Sequence, residues 1–199
     1  MAVPKSMFRA YDRVEANARL TGAAGVILLV LLAAEGFTVL SIGRLLPWHY
    51  FFGLVLIPPV VLKLGSTGTR FLRYYAGAPD YRRAGPPALL LRLLGPLVIL
   101  LTLAVLASGV ELWAFGLRFG SIWITAHKAT FVLWFLVMSV HVLAYLERAP
   151  ALALRDLTRP LPGAGRRRSL LGASLLLGVV LALALMFGHP SPFSWLGGG

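Results

Sequence analysis

Five long apolar runs, nearly free of charged residues, dominate this 199-residue sequence. A helix of about 20 consecutive apolar residues is long enough to cross a lipid bilayer. Each run therefore predicts one transmembrane helix, and together they leave too little polar sequence for a soluble catalytic domain. The predicted spans are Leu20–Leu40, Trp48–Gly65, Ala88–Val110, Ile122–Tyr145 and Leu170–Gly188.

The composition also favours an all-α integral membrane protein. Hydrophobic residues make up 58% of the chain and charged residues 13%, whereas soluble domains carry about 25% charged residues. The second run contains Pro58 and Pro59, where we expect a kink because proline removes a backbone hydrogen bond. The absence of cysteine excludes disulfides, iron–sulfur clusters, thiolate zinc sites and covalently attached c-type haem.

The basic residues give a formal net charge of +12 and are concentrated in three polar segments that all fall on one side of the membrane. Since Lys and Arg accumulate in short cytoplasmic loops, we expect a cytoplasmic amino terminus and a carboxyl terminus outside. Orientation and attraction to anionic lipid account for this charge, so binding to nucleic acid is not needed to explain it. The predicted divisions are a basic cytoplasmic tail (1–19), a four-helix bundle (20–146), a basic cytoplasmic loop (147–169), a fifth helix (170–188) and an outer tail (189–199).

Three of the four histidines lie in the predicted spans, where ionisable residues are rare and indicate function. His127 and His141 are fourteen residues apart in the fourth span, which places them on one helix face about 21 Å apart along the axis. His49 opens the second span, which runs in the same direction, so we expect it at the depth of His127. Two imidazoles from two helices at one depth are typical ligands of a haem iron.

The fourteen-residue interval recurs in the other spans and defines two layers of residues. The layer expected nearer the outside, here called the histidine layer, contains Gly36, His49, Gly109 and His127. The layer expected nearer the cytoplasm, here called the lysine layer, contains Gly22, Lys63, Gly95 and His141. A flat porphyrin needs ligands from two helices and space on the other two, and glycine provides that space because it has no Cβ. Close helix packing explains the glycines equally well.

Helices with paired histidines that alternate with helices carrying glycines at the same interval resemble the four-helix haem bundle of cytochrome b from quinol-oxidising bc complexes. They also resemble the cytochrome b membrane anchors of bacterial molybdenum oxidoreductases and hydrogenases. The resemblance covers roughly residues 20–146 and rests on spacing.

The resemblance implies a bacterial cytoplasmic-membrane protein that passes electrons between the quinone pool and a partner oxidoreductase, as an electron-transfer subunit and not a stand-alone catalyst. It implies that His49 and His127 bind the iron of an outer haem b, with Gly36 and Gly109 against its faces. Lys63 stands where a second histidine is expected opposite His141, so the sequence leaves open whether one or two haem b groups are bound.

Other roles also stay open at this stage. Lys63 either binds iron, pairs with a haem propionate or extends to the cytoplasmic interface. His141 either binds an inner haem, between Gly22 and Gly95, or forms a hydrogen bond inside the bundle. Glu35 either accepts a proton from a quinol or pairs with Arg44 or Lys128. The alternative function is a structural or assembly subunit without haem, whose histidines only form hydrogen bonds.

Overall fold

The computed structural model describes residues 5–86, 89–159 and 161–188, with side chains from residue 13 to residue 187. Throughout these ranges the chain is helical and contains no strand. Five of its helices are long and apolar enough to cross a membrane, which confirms the predicted all-α, multi-pass architecture. The predicted outer tail (189–199) and Ala88 lie outside the described residues. The helices are α1 (Lys5–Val39), α2 (Ile42–Tyr75), α3 (Pro79–Arg83), α4 (Leu89–Phe115), α5 (Ile122–Tyr145), α6 (Arg148–Thr158) and α7 (Ala164–Gly188).

Several helices are longer than the apolar runs that predicted them. The first helix begins at Lys5, so most of the predicted basic tail continues the first span. Helix α2 extends beyond Gly65 to Tyr75 and passes through Pro58 and Pro59 without a break in the helix. Transmembrane helices tolerate proline where neighbouring side chains and local adjustment satisfy the freed carbonyls, and Pro59 is fully buried here.

Helices α1 and α2 form a hairpin, and α7 packs against the other side of α2. The α1–α2 contact buries Leu28 and Leu56, and the α2–α7 contact buries Val55 and Ala182. Gly178 of α7 lies directly against the backbone carbonyl of Val55, where a Cβ would collide with the carbonyl oxygen. The fifth span is therefore a packing helix whose approach to α2 depends on a glycine.

Helices α4 and α5 form a second hairpin, in which the indole Nε1 of Trp134 donates to Thr102 Oγ1 over 2.9 Å. Within the described ranges, α5 packs closely against α4 alone, and the two hairpins meet mainly through sparse contacts between α2 and α4. This arrangement leaves a cleft between the hairpins. His49 of the second predicted span and His127 of the fourth lie at this cleft.

The arginine-rich end of the bundle is closed by α6, which lies across α1. The predicted loop 147–169 thus contains a helix, whose single amphipathic stretch is too short to register as an apolar run. Asp156 of α6 accepts hydrogen bonds from Arg167 of α7 and lies 3.6 Å from Arg19 of α1. All three side chains are buried, and the hydrogen bonds from Arg167 hold the pKa of Asp156 below its usual range.

Candidate functional site

The imidazoles of His49 and His127 face each other across the cleft between the two hairpins. Their ring centroids are 6.2 Å apart, and the ring planes are inclined at 82°. His49 comes from the beginning of α2 and His127 from the first turns of α5. The structure therefore brings together the two histidines that the sequence placed at one depth.

The Nδ1 atom of His49 is engaged by two residues of α1. It lies 2.9 Å from Thr38 Oγ1 and 3.1 Å from Glu35 Oε1. The Thr38 hydroxyl donates its own hydrogen to the backbone carbonyl of Glu35 over 2.5 Å, so its oxygen is left to accept a hydrogen from His49. A neutral imidazole carries one ring hydrogen, and this arrangement assigns it to Nδ1 and leaves a lone pair on Nε2.

His127 is held in the same way by α4. Its Nδ1 atom lies 3.0 Å from Ser108 Oγ. The Ser108 hydroxyl donates to the backbone carbonyl of Ala104 over 2.8 Å, so its oxygen accepts the Nδ1 hydrogen of His127. The His127 ring also has a hydrogen-bond contact with the backbone of Val105. In the tautomer that carries its hydrogen on Nδ1, Nε2 of each ring holds the lone pair that a ligand in the cleft would use.

The two glycines of the histidine layer have different surroundings. A Cβ on Gly109 would lie 3.1 Å from Cε1 of His127, so the missing side chain makes room for the imidazole itself. A Cβ on Gly36 would meet no atom within 4 Å. Gly36 is exposed and borders open space, whereas the absence of a side chain at Gly109 gives the His127 ring its place.

Glu35 pairs with His49 in this structure, and no ion pair among the described residues joins it to Arg44 or Lys128. Its second carboxylate oxygen, Oε2, is buried and has no hydrogen-bond partner among the described residues. The other oxygen, Oε1, lies 3.1 Å from Nδ1 of His49. A carboxylate on the far nitrogen of a metal-binding imidazole orients the ring and makes it a more basic ligand.

The lysine layer is assembled differently. The Nζ atom of Lys63 donates to the backbone carbonyl of Thr21 in α1 over 2.7 Å. A Cβ on Gly25 would lie 2.8 Å from this Nζ, so glycine at that position makes space for the ammonium group. Lys63 thus joins α2 to α1 within the bundle and does not extend to the interface.

His141 takes part in none of the hydrogen bonds among the described residues. Its Nδ1 atom is buried without a partner among the described residues, and its ring lies 4.9 Å from that of Tyr145. Of the two glycines in this layer, Gly95 has no atom within 4 Å of an added Cβ, whereas Gly22 would place its Cβ 2.9 Å from Leu152 Cβ of α6. The space at Gly22 is therefore filled by a helix.

Sequence analysis did not single out three residues that the structure makes prominent. Thr38 and Ser108 hold the Nδ1 atoms of the histidine pair, and each lies within two residues of a glycine of the histidine layer. Glu111 follows the end of the predicted third span by one residue, and both its carboxylate oxygens are buried without a partner among the described residues. For Thr38 and Ser108, the available signal in the sequence was a hydroxyl one or two positions from a glycine of the histidine layer.

Within the described residues, no three His, Cys, Asp or Glu side chains cluster as a conventional metal site. A haem iron needs only two axial protein ligands, so a facing pair remains chemically sufficient for that group. Comparison of the chain with family models, curated proteins and solved structures found no match.

Proposed function

We propose that this chain is a b-type membrane cytochrome, which holds one haem between His49 and His127 and passes electrons between membrane quinone and a partner oxidoreductase. The observation that carries the proposal is the facing pair of imidazoles, 6.2 Å apart at their centroids, with both Nδ1 atoms engaged elsewhere. A bound haem supplies one-electron redox chemistry. The protein supplies the ligands and their surroundings.

The separation of the rings supports this proposal. A metal–imidazole bond is about 2 Å long and each ring centre lies about 1 Å beyond its nitrogen, so imidazoles on opposite sides of one metal have centroids roughly 6 Å apart. Two imidazoles in direct hydrogen-bonded contact need one ring nitrogen to donate and the other to accept. Here both Nε2 atoms are acceptors, so a metal between them satisfies both.

The residues around the pair support the same proposal. Thr38 and Ser108 accept the Nδ1 hydrogens and fix the tautomer in which Nε2 can bind a metal. The missing side chain of Gly109 makes room for the His127 imidazole. The lysine layer lacks a second imidazole, and its amine is committed to the Thr21 carbonyl, so we propose one haem per chain.

The proposed orientation in the membrane and the proposed partner subunit rest on the sequence. The one-sided distribution of Arg and Lys supports a cytoplasmic amino terminus, which places the histidine pair nearer the outer face of a bacterial cytoplasmic membrane. The chain consists almost entirely of membrane helices, so we assign the substrate chemistry to a partner subunit.

A pyridine haemochrome assay on protein purified from haem-replete cells tests the proposal. We expect a reduced spectrum typical of haem b and a stoichiometry of one haem per chain. A folded, monodisperse preparation with no Soret absorption would contradict the proposal. That result would favour the alternative of a structural subunit, in which the same histidines only join α1 to α2 and α4 to α5.

A further inference from the structure

A groove runs between α2 and α4 on the side of α4 away from His127. Its volume is about 480 Å³, it is open along one side, and its lining is almost wholly apolar. The α2 side is formed by Ile57, Val60 and Leu64, and the α4 side includes Leu103 and Ala107. A groove of this kind within membrane-spanning helices is accessible to molecules dissolved in the bilayer.

One polar side chain, Glu111, lines this groove. Both oxygens of its carboxylate are buried, and neither has a hydrogen-bond partner among the described residues. An unpartnered buried carboxylate is costly, because it loses its hydration without gaining a donor. The groove therefore lacks a hydrogen-bond donor, and a ligand that brings one satisfies the carboxylate. Phe115, at the same end of the groove, offers an aromatic surface.

Helix α4 separates this groove from the histidine pair. Ser108 and Gly109 lie on the face of α4 that meets His127, whereas Ala107, Val110 and Glu111 line the groove. The residues that contact His127 and the residues that line the groove thus lie on different faces of the same turn of α4. Because an α-helix is about 10 Å across, a molecule in the groove lies within one helix diameter of His127.

We infer that this groove binds a hydroquinone with a hydrocarbon tail, and that one hydroquinone hydroxyl donates a hydrogen bond to the carboxylate of Glu111. The ring stacks near Phe115, and the tail follows the apolar lining towards Leu64. An acyl chain alone fits the apolar lining but leaves Glu111 unsatisfied. A hydroquinone with a hydrocarbon tail matches the apolar lining, the aromatic surface of Phe115 and the unpartnered carboxylate of Glu111. The choice of a redox-active lipid rests on the proposed function, whereas the groove and its carboxylate do not.

Binding is measured on the full chain in lipid nanodiscs, under anaerobic conditions, with decyl hydroquinone and its dimethyl ether as probes. The two probes have the same ring and tail, but the ether has no hydroxyl to donate. We expect the wild-type chain to prefer the hydroquinone at least about tenfold, the range of a hydrogen bond to a charged group. Glu111→Leu should remove this preference and retain affinity for the ether, and Glu111→Gln should give an intermediate ratio.

A second pair of variants tests the location of the binding site. Ala107 faces the groove, so Ala107→Leu should weaken binding of both probes. Ala173, on the exposed surface of α7, provides the matched control, and Ala173→Leu should bind as the wild type does. Equal wild-type affinity for the two probes, or an unchanged preference in Glu111→Leu, would overturn the inference.

The haem content of each sample separates this inference from the proposed function. Haem-loaded chain that binds both probes equally overturns the groove assignment and leaves the cytochrome proposal in place. Haem-free chain that retains the preference for hydroquinone supports the groove and overturns the cytochrome proposal.

Discussion

The histidine layer and the lysine layer follow the same fourteen-residue register on the same four helices, yet they have different internal chemistry. In the histidine layer, His49 and His127 face each other at 6.2 Å. In the lysine layer, Lys63 donates to a backbone carbonyl and His141 has a buried, unpartnered Nδ1. Equal spacing therefore places residues at equal depths, but it does not by itself build equivalent sites.

The difference lies in how nearby hydroxyl groups are used. Thr38 and Ser108 each donate to a carbonyl of their own helix and leave an oxygen to accept from a histidine. Near Lys63, the Thr21 hydroxyl lies 2.8 Å from the Asn17 carbonyl oxygen and 2.9 Å from Ser66 Oγ, and its one hydrogen is shared between them, while Ser66 donates to the Lys63 carbonyl. The hydroxyls of the first layer contact the histidines, whereas those of the second join α1 to α2.

The largest contrast between the layers is expected in haem binding. His49→Ala and His127→Ala each remove one axial ligand, so we expect nearly complete loss of the Soret band in purified protein. The matched change in the lysine layer, His141→Ala, should leave the haem content at one per chain. Loss of half the haem in His141→Ala would show that both layers bind haem, and it would contradict the proposed difference between them.

The arginine-rich end, which lies beyond the lysine layer, is expected to contribute stability without affecting the spectrum. Asp156→Asn leaves Arg167 buried without its carboxylate, whereas Arg19 keeps Glu15, and breaking such a buried pair costs about 3 kcal/mol. We expect lower thermal stability at pH 7 and an unchanged haem spectrum. An altered spectrum in Asp156→Asn would contradict this division of roles.

The contribution of Asp156 should also depend on pH. Its pKa in the folded state is lowered by Arg167, so the stabilisation is fully present above the unfolded-state pKa of about 3.9. It is lost as pH falls through the lower folded-state pKa. The stability difference between the wild type and Asp156→Asn should therefore be constant near neutral pH and shrink below about pH 4. A difference that grows on acidification would contradict the assignment.

The two axial ligands of the histidine layer should differ in their effect on reduction potential. Glu35 lies on Nδ1 of His49, whereas His127 contacts only neutral groups, Ser108 and the backbone of Val105. Glu35→Gln removes a group beside His49 that can carry a negative charge, and such a charge favours oxidised iron, so we expect the potential to rise. A tenfold change in the redox equilibrium, the lower range for such outer contacts, corresponds to about 59 mV for one electron.

Ser108→Ala provides the matched control for that measurement, since it removes a neutral contact from the other ligand. We expect a smaller shift in its redox titration than in Glu35→Gln. A potential that is unchanged or lower in Glu35→Gln would show that the carboxylate does not act on the iron through His49.

The smallest expected effect concerns Lys63. Lys63→Met preserves a long apolar side chain but removes the hydrogen bond to the Thr21 carbonyl, which is worth about 1 kcal/mol. We expect a slight decrease in thermal stability and an unchanged haem content. A large loss of haem in Lys63→Met would show that the amine takes part in cofactor binding.

The predicted spans agree with the structure where hydrophobicity alone sets the limits. The fourth span, Ile122–Tyr145, has the same bounds in both. The second helix continues ten residues past Gly65 to Tyr75, since backbone hydrogen bonds sustain a helix after its apolar residues end. A hydropathy run marks the part of a helix suited to lipid and not the whole helix.

For the candidate site, the sequence predicted that His49 and His127 lie close together but did not predict their surroundings. The register of His49 and His127 follows from helix geometry, which is the same in any sequence. The contacts of Thr38, Glu35 and Ser108 depend on how each hairpin packs and on side-chain rotation. Gly22 illustrates the same limit, since its vacant side is filled by Leu152 of α6, a helix that sequence analysis treated as a loop.

The opening feature, five apolar runs with basic residues gathered on one side, determined by itself that this chain is a multi-pass helical membrane protein. It also predicted a common depth for His49 and His127, because helix rise and bilayer thickness are fixed quantities. Only the tertiary structure decided that these two imidazoles face each other, that Lys63 donates to the Thr21 carbonyl, and that Glu111 lines a groove. These outcomes depend on rotation about the helix axis and on which helices pack together, and spacing along a chain specifies neither.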